Sequence, residues 1–283
     1  MTGRFLRIAR VPESREDYVD VHNPEYVIAM LRKRGARADV FSFWQRLPET
    51  TPQFPYKFEW DNVAALRVTS YDDWISKQVH PSVRTKLRKA ARMGLTVDLV
   101  TFDDKLISGI SEIFNETPIR QGRPYEHYGK SVDQIRKDWS VDAEASVFIA
   151  AHHEQELIGF VKLTFTERYA EMSGTICKLA HRNKPAMSLL IGRAVQFCEA
   201  QRIPWLSYGK FEYGNKGEDS LSDFKRYNGF EKVQLPRYYV PLSLYGRIGL
   251  KFGLHRRLRD QLPTSIKRTL LRLRSRFYAR RRG

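Results

Sequence analysis

The succession of elements expected between residues 146 and 240 constrains the fold more than any other feature of the chain. Two segments rich in β-branched and aromatic residues flank a short polar turn and predict a β-hairpin, at 146–152 and 156–165. A strand, an apolar-striped helix, a strand, a short helix and a final strand follow, at 171–179, 186–201, 205–209, 220–227 and 232–240. This order predicts an α/β (α+β) fold in which helices flank one mixed central sheet.

Further elements are predicted upstream of the hairpin. Asn23 and Pro24 begin a helix, and a basic helix over 83–92 has Ser82 as its expected N-cap and Gly94 as its stop. A strand and two more helices follow it, at 95–100, 105–115 and 132–139.

The net charge of +17 is concentrated at the C-terminus, where residues 247–283 hold 13 Lys/Arg and a single acidic residue, Asp260. Pro263 precedes a predicted amphipathic helix whose apolar face carries Ile266, Leu270, Leu273 and Phe277. The residues expected to contact a partner are Lys267, Arg268, Arg272, Arg276 and Phe277. An anionic membrane surface suits this pattern, RNA such as tRNA would also accept it, and docking of the helix on the protein body is the third alternative.

Composition restricts the class of protein. There is no run of about 18 apolar residues, and the first ten residues are polar and basic, so we expect a cytoplasmic protein, with peripheral attachment to the inner face of the membrane through the tail. Cys177 and Cys198 are too few for a thiolate metal site, and the adjacent His152 and His153 would point to opposite faces of a strand. No metal is expected, and Cys198 is assigned to the core.

Residues 113–130 concentrate titratable side chains in a turn-rich segment. Glu116 and His127 could move protons, and Arg120 and Arg123 could hold a carboxylate or a phosphate. We therefore assign Glu116 and His127 as candidate catalytic residues, with substrate contacts from Arg120, Gln121, Arg123 and Tyr128. The alternative is a solvated polar loop that contains one structural Arg–Glu pair.

Three segments resemble the Fem-type (FemAB-like) branch of the GNAT acyltransferase superfamily. They are the basic helix and strand at 84–97, the strand at 157–161, and Leu206-Ser207-Tyr208-Gly209 followed by residues 221–230. The last of these is the most specific, and together they lie within residues 74–240. The resemblance implies a GNAT-like domain at 76–241. The resemblance does not extend to the two ends of the chain. Residues 1–75 are predicted to be an N-terminal α/β segment, with a partial second GNAT-like half as one interpretation, and 242–283 are predicted to be the basic helical tail.

The resemblance also implies roles for residues near the end of this region. It predicts acyl transfer to an amine, with Phe224 and Lys225 at the acyl-transfer end of the cleft and Lys225 facing developing negative charge. Tyr208 is a candidate general acid for the leaving group. The alternatives are an exposed Lys225 on a short helix and a core position for Tyr208.

The segment expected to bind the phosphates of the donor departs from the usual GNAT pattern. No glycine occurs in residues 180–187, and Pro185 removes one backbone N–H donor. Charge from Arg182 and Lys184, with Asn183 between them, could replace the glycine turn. Both an acyl-CoA such as acetyl-CoA and an aminoacyl-tRNA therefore stay open as co-substrate.

These features lead to two functional hypotheses. The first is an N-acyltransferase that moves an acyl or aminoacyl group to an amino group on a cell-envelope or surface-glycan precursor. The second is a non-catalytic GNAT-like module that binds RNA or anionic membrane through its basic helix and tail. Convergence of Glu116, Arg120, His127 and Lys225 on one pocket would favour the enzyme.

Overall fold

One sheet of nine strands runs through the protein. The structure is a computed structural model and describes residues 6–10, 21–120, 122–213 and 220–256. The nine strands are β1 Ile8–Arg10, β2 Val40–Trp44, β3 Lys57–Arg67, β4 Thr96–Val100, β7 Ser146–His153, β8 Glu156–Phe165, β9 Ala170–Cys177, β10 Trp205–Ser207 and β11 Glu231–Pro241. Two short strands, β5 Ile119–Arg120 and β6 Arg123–Pro124, form a separate hairpin.

Helices pack on this sheet. The main ones are α1 Pro24–Lys33, α2 Pro81–Arg92, α3 Asp104–Asn115, α4 Val132–Trp139, α5 Ala186–Ala200, α6 Ser220–Tyr227 and α7 Leu244–Lys251. Between β3 and α2, the turn Tyr71–Asp73 continues into a π-helix, Trp74–Gln78.

The sheet has the strand order β1-β2-β11-β3-β10-β9-β8-β7-β4. Neighbouring strands are antiparallel except for β1–β2 and β9–β10, which are parallel. The predicted mixed central sheet with flanking helices is therefore confirmed. Residues 1–75 contribute β1, β2 and β3 to the same sheet as the rest of the chain, and the proposed boundaries at 75 and 241 stay a prediction. The predicted tail helix begins beyond residue 256 and lies outside the described residues.

The predicted hairpin at 146–165 is present, with a tighter turn than expected. Strand β7 continues through His153, so that only Glu154 and Gln155 connect it to β8, both with positive φ. The start of α2 also differs from the expectation. The side chain of His80, not that of Ser82, accepts the backbone N–H that caps the helix, because the fixed φ of Pro81 suits the first helical position.

Two of the apolar cores lie against strands β7, β8 and β9. One packs α5 and α2 on strands β7, β8 and β9, and it contains the buried Cys198 as predicted. The other packs α3 and α4 on the same strands through Ile110, Phe114 and Phe160. Because α3 and α4 belong to this second core, the segment that joins them lies over that side of the sheet.

Helix α7 packs beside the β1–β2 end of the sheet through its two glycines. A Cβ atom on Gly246 would lie 1.8 Å from the carbonyl oxygen of Asp39, and one on Gly249 would lie 2.6 Å from Leu6. The hydroxyl of Ser243 caps the helix and also donates to the Asp39 carboxylate at 3.1 Å. These contacts fix which face of α7 points inward.

Within the described ranges, no helix combines the length and the apolar composition needed to cross a membrane. The same ranges contain no group of three or more His, Cys, Asp or Glu side chains placed to hold a metal ion.

Candidate active site

A cavity of about 510 Å³ lies where the segment between α3 and α4 approaches β8 and β9. Aromatic side chains from helices and loop form part of its wall, and polar groups from the strands form another part. Its lining residues are Phe114, Tyr125, Glu126, His127, Asp138, Trp139, Val141, Lys162, Ser173, Gly174, Thr175 and Ile176. An apolar pocket with a few polar groups is the usual form of a small-molecule site.

His127 is the member of the predicted catalytic set that reaches this cavity. Its ring stacks on Phe114, with 4.5 Å between centroids, and its Nε2 lies 3.5 Å from Glu126. Its Nδ1 is buried and has no hydrogen-bond partner in the described part of the chain. Burial and the nearby Lys130 ammonium both lower the pKa of His127 below 6.5, so the imidazole is neutral at pH 7 and can accept a proton.

Lys162 brings a cation into the cavity from strand β8. Only 8% of the residue is exposed, and its Nζ donates to the carbonyl of Trp139 at 3.1 Å and to that of Val141. Burial lowers the pKa of Lys162. The opposing residue on β9 is Gly174, where a Cβ would lie 2.3 Å from the Trp139 ring. A glycine is therefore needed for Trp139 to close this side of the cavity.

Glu116 and Arg120 lie behind the cavity and bind the end of β9. The Glu116 carboxylate accepts the backbone N–H groups of Leu179 and Ala180, both at 2.7 Å, and pairs with Arg120 at 2.9 Å. Arg120 in turn donates to the carbonyl of Cys177. Burial raises the pKa of Glu116, but the two N–H groups and Arg120 outweigh it, and the net pKa falls below 4.5. These are the contacts of an anchor that holds β9 to α3.

We expect Glu116→Gln to destabilise the protein by about 2 kcal/mol. The substitution replaces one carboxylate oxygen with an NH₂ group, which cannot accept a hydrogen bond from a backbone N–H or from Arg120. Urea unfolding at pH 7 measures this difference, with Glu126→Gln as control for an exposed glutamate on the same segment. A carboxylate with a lowered native pKa stabilises above its unfolded pKa and loses that effect as the pH falls, so the difference should shrink below about pH 4.5. Equal stability of Glu116→Gln and wild type at pH 7 would contradict the anchoring role.

The parallel strands β9 and β10 pair over only two positions and then separate. Leu206 pairs with Ala170, and Ser207 with Glu171. Beyond them, the backbone of Tyr208 and Gly209 bonds to Ala64 of β3 instead. The buried Glu171 carboxylate lies at this opening, where it accepts the Ser207 hydroxyl and the Gly209 N–H, the latter at 2.8 Å.

Lys225 is buried beneath the chain that leaves β10. Helix α6 points it inward, only 1% of it is exposed, and its Nζ donates to the carbonyls of Tyr208 at 2.7 Å and Lys210 at 2.6 Å. The alternative of an exposed lysine is therefore wrong. Its Nζ lies 4.6 Å from the centre of the Tyr208 ring. Phe224 is partly buried and packs against the core beside it.

Tyr208 keeps its proton near neutral pH. Burial is the main reason why its pKa rises, and the charges of Cys177, Tyr213 and Glu171 add to the effect. Cys177 is the last residue of β9 and Tyr208 is the first residue after β10, so Tyr208 lies where the two strands separate. A protonated phenol there can donate to a leaving group.

The predicted phosphate-binding residues lie just before α5. Arg182 and Asn183 are exposed, and Pro185 gives the helix no side-chain cap. Lys184 is turned toward two imidazoles, since its Nζ lies 2.9 Å from Nδ1 of His181 and 3.3 Å from Nδ1 of His153. Arg182 and Asn183 are thus the members of this group that face solvent.

Arg123 and Tyr128 do not line the cavity. Arg123 and Tyr128 are exposed on the loop, and Gln121 lies outside the described residues. So do the predicted tail contacts, Lys267, Arg268, Arg272, Arg276 and Phe277. The four residues expected to converge do not share one pocket, so the convergence that would favour an enzyme is not observed. His127 lines the cavity, Glu116 and Arg120 bind the end of β9, and Lys225 binds the chain that leaves β10.

Two polar residues of this region were missed by the sequence analysis. Lys162 and Glu171 are single charged residues inside strongly apolar strands, and this pattern was the available signal. A charged side chain is rarely buried without a specific partner, so a charged residue within a buried strand is by itself a reason to name it as a candidate site residue.

No family model matches the sequence, and no curated protein does. Solved structures do match. FemX superposes with a TM-score of 0.59 at 8% identity, covering 89% of this chain and 84% of FemX. L-PGS from Bacillus licheniformis superposes with a TM-score of 0.55 at 14% identity, covering 83% of this chain and 78% of L-PGS. A third match is the C-terminal domain of a protein from Agrobacterium fabrum that is assigned as a lysylphosphatidylglycerol synthetase. It superposes with a TM-score of 0.54 at 14% identity, covering 81% of this chain and 76% of that domain. The chain therefore has the fold of FemX and L-PGS, as its resemblance to the Fem-type branch of the GNAT superfamily implied.

Proposed function

We propose that this protein is an N-acyltransferase that moves an acyl or aminoacyl group to the amino group of an acceptor held in the cavity. The observation that carries the proposal is a half-buried imidazole of lowered pKa, that of His127, on the wall of a cavity that strand β9 also lines. The fold shared with FemX supports the same class of reaction.

In the proposed reaction, the amine nitrogen attacks the carbonyl carbon of the donor, and the imidazole of His127 takes a proton from that nitrogen as the new bond forms. The bond from the carbonyl carbon to sulfur or oxygen then breaks. Tyr208 gives its proton to the departing thiolate or alkoxide, and His127 later returns a proton through solvent. Glu171 holds the Gly209 backbone that follows Tyr208, so it positions the acid.

The chemistry of the cavity suits an acceptor with an anionic group near its amine. The Lys162 ammonium lines the cavity and donates to two backbone carbonyls, with Asp142 as a nearby opposite charge, so a carboxylate or phosphate of the acceptor can pair with Lys162. A cell-envelope or surface-glycan precursor is the acceptor class that we propose.

The donor is tested by thermal shift and calorimetry with acetyl-CoA, longer acyl-CoAs and aminoacyl-tRNA. A ligand that binds only the native state at 100 times its Kd stabilises by about 2.7 kcal/mol, so a saturable rise in Tm is expected for one donor class. We expect Arg182→Glu to weaken that donor about tenfold, as a lost phosphate contact does.

Arg37→Glu is the matched control, since Arg37 is exposed before β2, away from α5. If no donor changes Tm or produces heat, the transferase proposal fails, and the non-catalytic module becomes the better explanation.

A further inference from the structure

We propose that the outward face of α7 is a docking surface for an anionic membrane. We call it the α7 surface and define it by Leu244, Tyr245, Ile248 and Phe252, together with the basic residues Arg247 and Lys251. The proposal does not depend on acyl transfer, because a protein of any activity could use such a surface.

The α7 surface exposes four large apolar side chains. Leu244 is 70% exposed, Phe252 is 73% exposed, and about half of Tyr245 and of Ile248 is exposed. Contiguous apolar patches of this kind on a folded protein mark interaction sites more often than chance solvent exposure does.

The orientation of α7 is set from the inside, so the exposure is a property of the fold. Gly246 and Gly249 face the protein, where no side chain would fit beside Asp39 and Leu6. The helix therefore buries its two glycines and Leu250 and leaves its other large apolar residues outside.

The charges around this face are all of one sign. Arg247, Lys251 and Arg256 are exposed, and residues 242–256 contain no acidic residue. Two carboxylates lie near α7, and both are already bound: Asp39 by Arg7 and Ser243, and Glu59 by His255 and Arg256. The sequence that follows, 257–283, adds ten Lys/Arg against Asp260.

This combination selects one partner class. A symmetric contact between two copies would bring the same cations together, and like charges across an interface disfavour it. Nucleic acid would use the cations but leave Leu244, Ile248 and Phe252 in water. An anionic lipid surface suits both the apolar side chains and the cations, because the apolar side chains enter the boundary of the acyl chains while the cations contact phosphate groups.

The test is sedimentation of the full chain with vesicles of phosphatidylcholine containing one quarter phosphatidylglycerol. We expect binding, and we expect the double variant Leu244→Ser, Phe252→Ser to weaken it by at least tenfold, since two large apolar side chains no longer leave water. Leu99→Ser is the control, because Leu99 is 41% exposed on β4, at the opposite edge of the sheet. Phosphatidylcholine vesicles alone should bind weakly.

Three results would overturn the proposal. Vesicle binding by wild type that the double variant leaves unchanged would assign all attachment to other residues. A concentration-dependent dimer that the double variant abolishes would make the surface a contact between copies. Failure of wild type to bind the anionic vesicles would exclude the membrane, and binding of single-stranded RNA that falls steeply with salt would then point to nucleic acid. Thermal unfolding of each variant confirms that it is folded.

Discussion

Replacing Lys225 with Met is expected to lower the free energy of unfolding by about 3 kcal/mol and to abolish any transferase activity. Methionine keeps the length and much of the volume of the side chain, so packing in the buried site changes little. The two carbonyls that receive the ammonium, those of Tyr208 and Lys210, lose a charged donor. A buried acceptor left without a donor costs about 1–3 kcal/mol, and here two are affected.

The transferase activity of Lys225→Met should be lost even under conditions in which the variant stays folded. The carbonyl of Tyr208 is fixed by Lys225, and the side chain of Tyr208 is the proposed acid, so loss of the ammonium frees the backbone that aims the phenol. Lys89→Met, on an exposed position of α2, is the matched control. Urea unfolding and an acyl-transfer assay measure both effects. A Lys225→Met protein that is stable and active would mean that the ammonium neither holds this segment nor meets developing charge.

Replacing His127 with Gln is expected to lower kcat/KM by about a hundredfold, at the lower end of what a general base contributes. Glutamine can occupy a similar volume and can hydrogen-bond, but it cannot take a proton near neutral pH. Donor binding should stay the same, because His127 belongs to the acceptor cavity. Calorimetry with the donor and steady-state kinetics with an amine acceptor separate the two.

The pH dependence gives a second readout of the same residue. The reaction needs the neutral imidazole, and burial lowers the pKa of His127 below 6.5. The rate should therefore be level above pH 6.5 and fall as the pH drops through the lowered pKa. This inflection should be missing in His127→Gln and present in Glu126→Gln. An inflection that persists without His127 would place the base elsewhere.

The fold was largely accessible from the sequence, because its signals are local. The hairpin of β7 and β8, the helix after Pro185 and the short α6 each have periodicity and boundaries that are read within a dozen residues. The order of the strands was not accessible in the same way. Nothing near residues 57–67 or 231–241 indicates that these two strands lie side by side, since pairing between distant segments leaves no local pattern.

The site was predicted less well, for a related reason. Residue type indicated that Glu116 and His127 could both titrate. Only the packing decides that the Glu116 carboxylate binds backbone N–H groups and that the His127 imidazole lies on the wall of a cavity. Lys225 was selected through a resemblance, and its burial under two carbonyls depends on how α6 meets the chain after β10. Local sequence identifies the groups that can react, whereas their surroundings decide which of them do.

The position of β11 affects how the chain can fold as it is synthesised. This strand lies between β2 and β3 and pairs with both, although it follows all the other strands of the sheet in the sequence. Until it emerges from the ribosome, the edges of β2 and β3 have no partner between them, and the loop that must close is nearly the whole domain. Strands β2 and β3 therefore cannot complete their pairing until β11 has been made. A chain that lacks β11 would have a gap in the middle of its sheet.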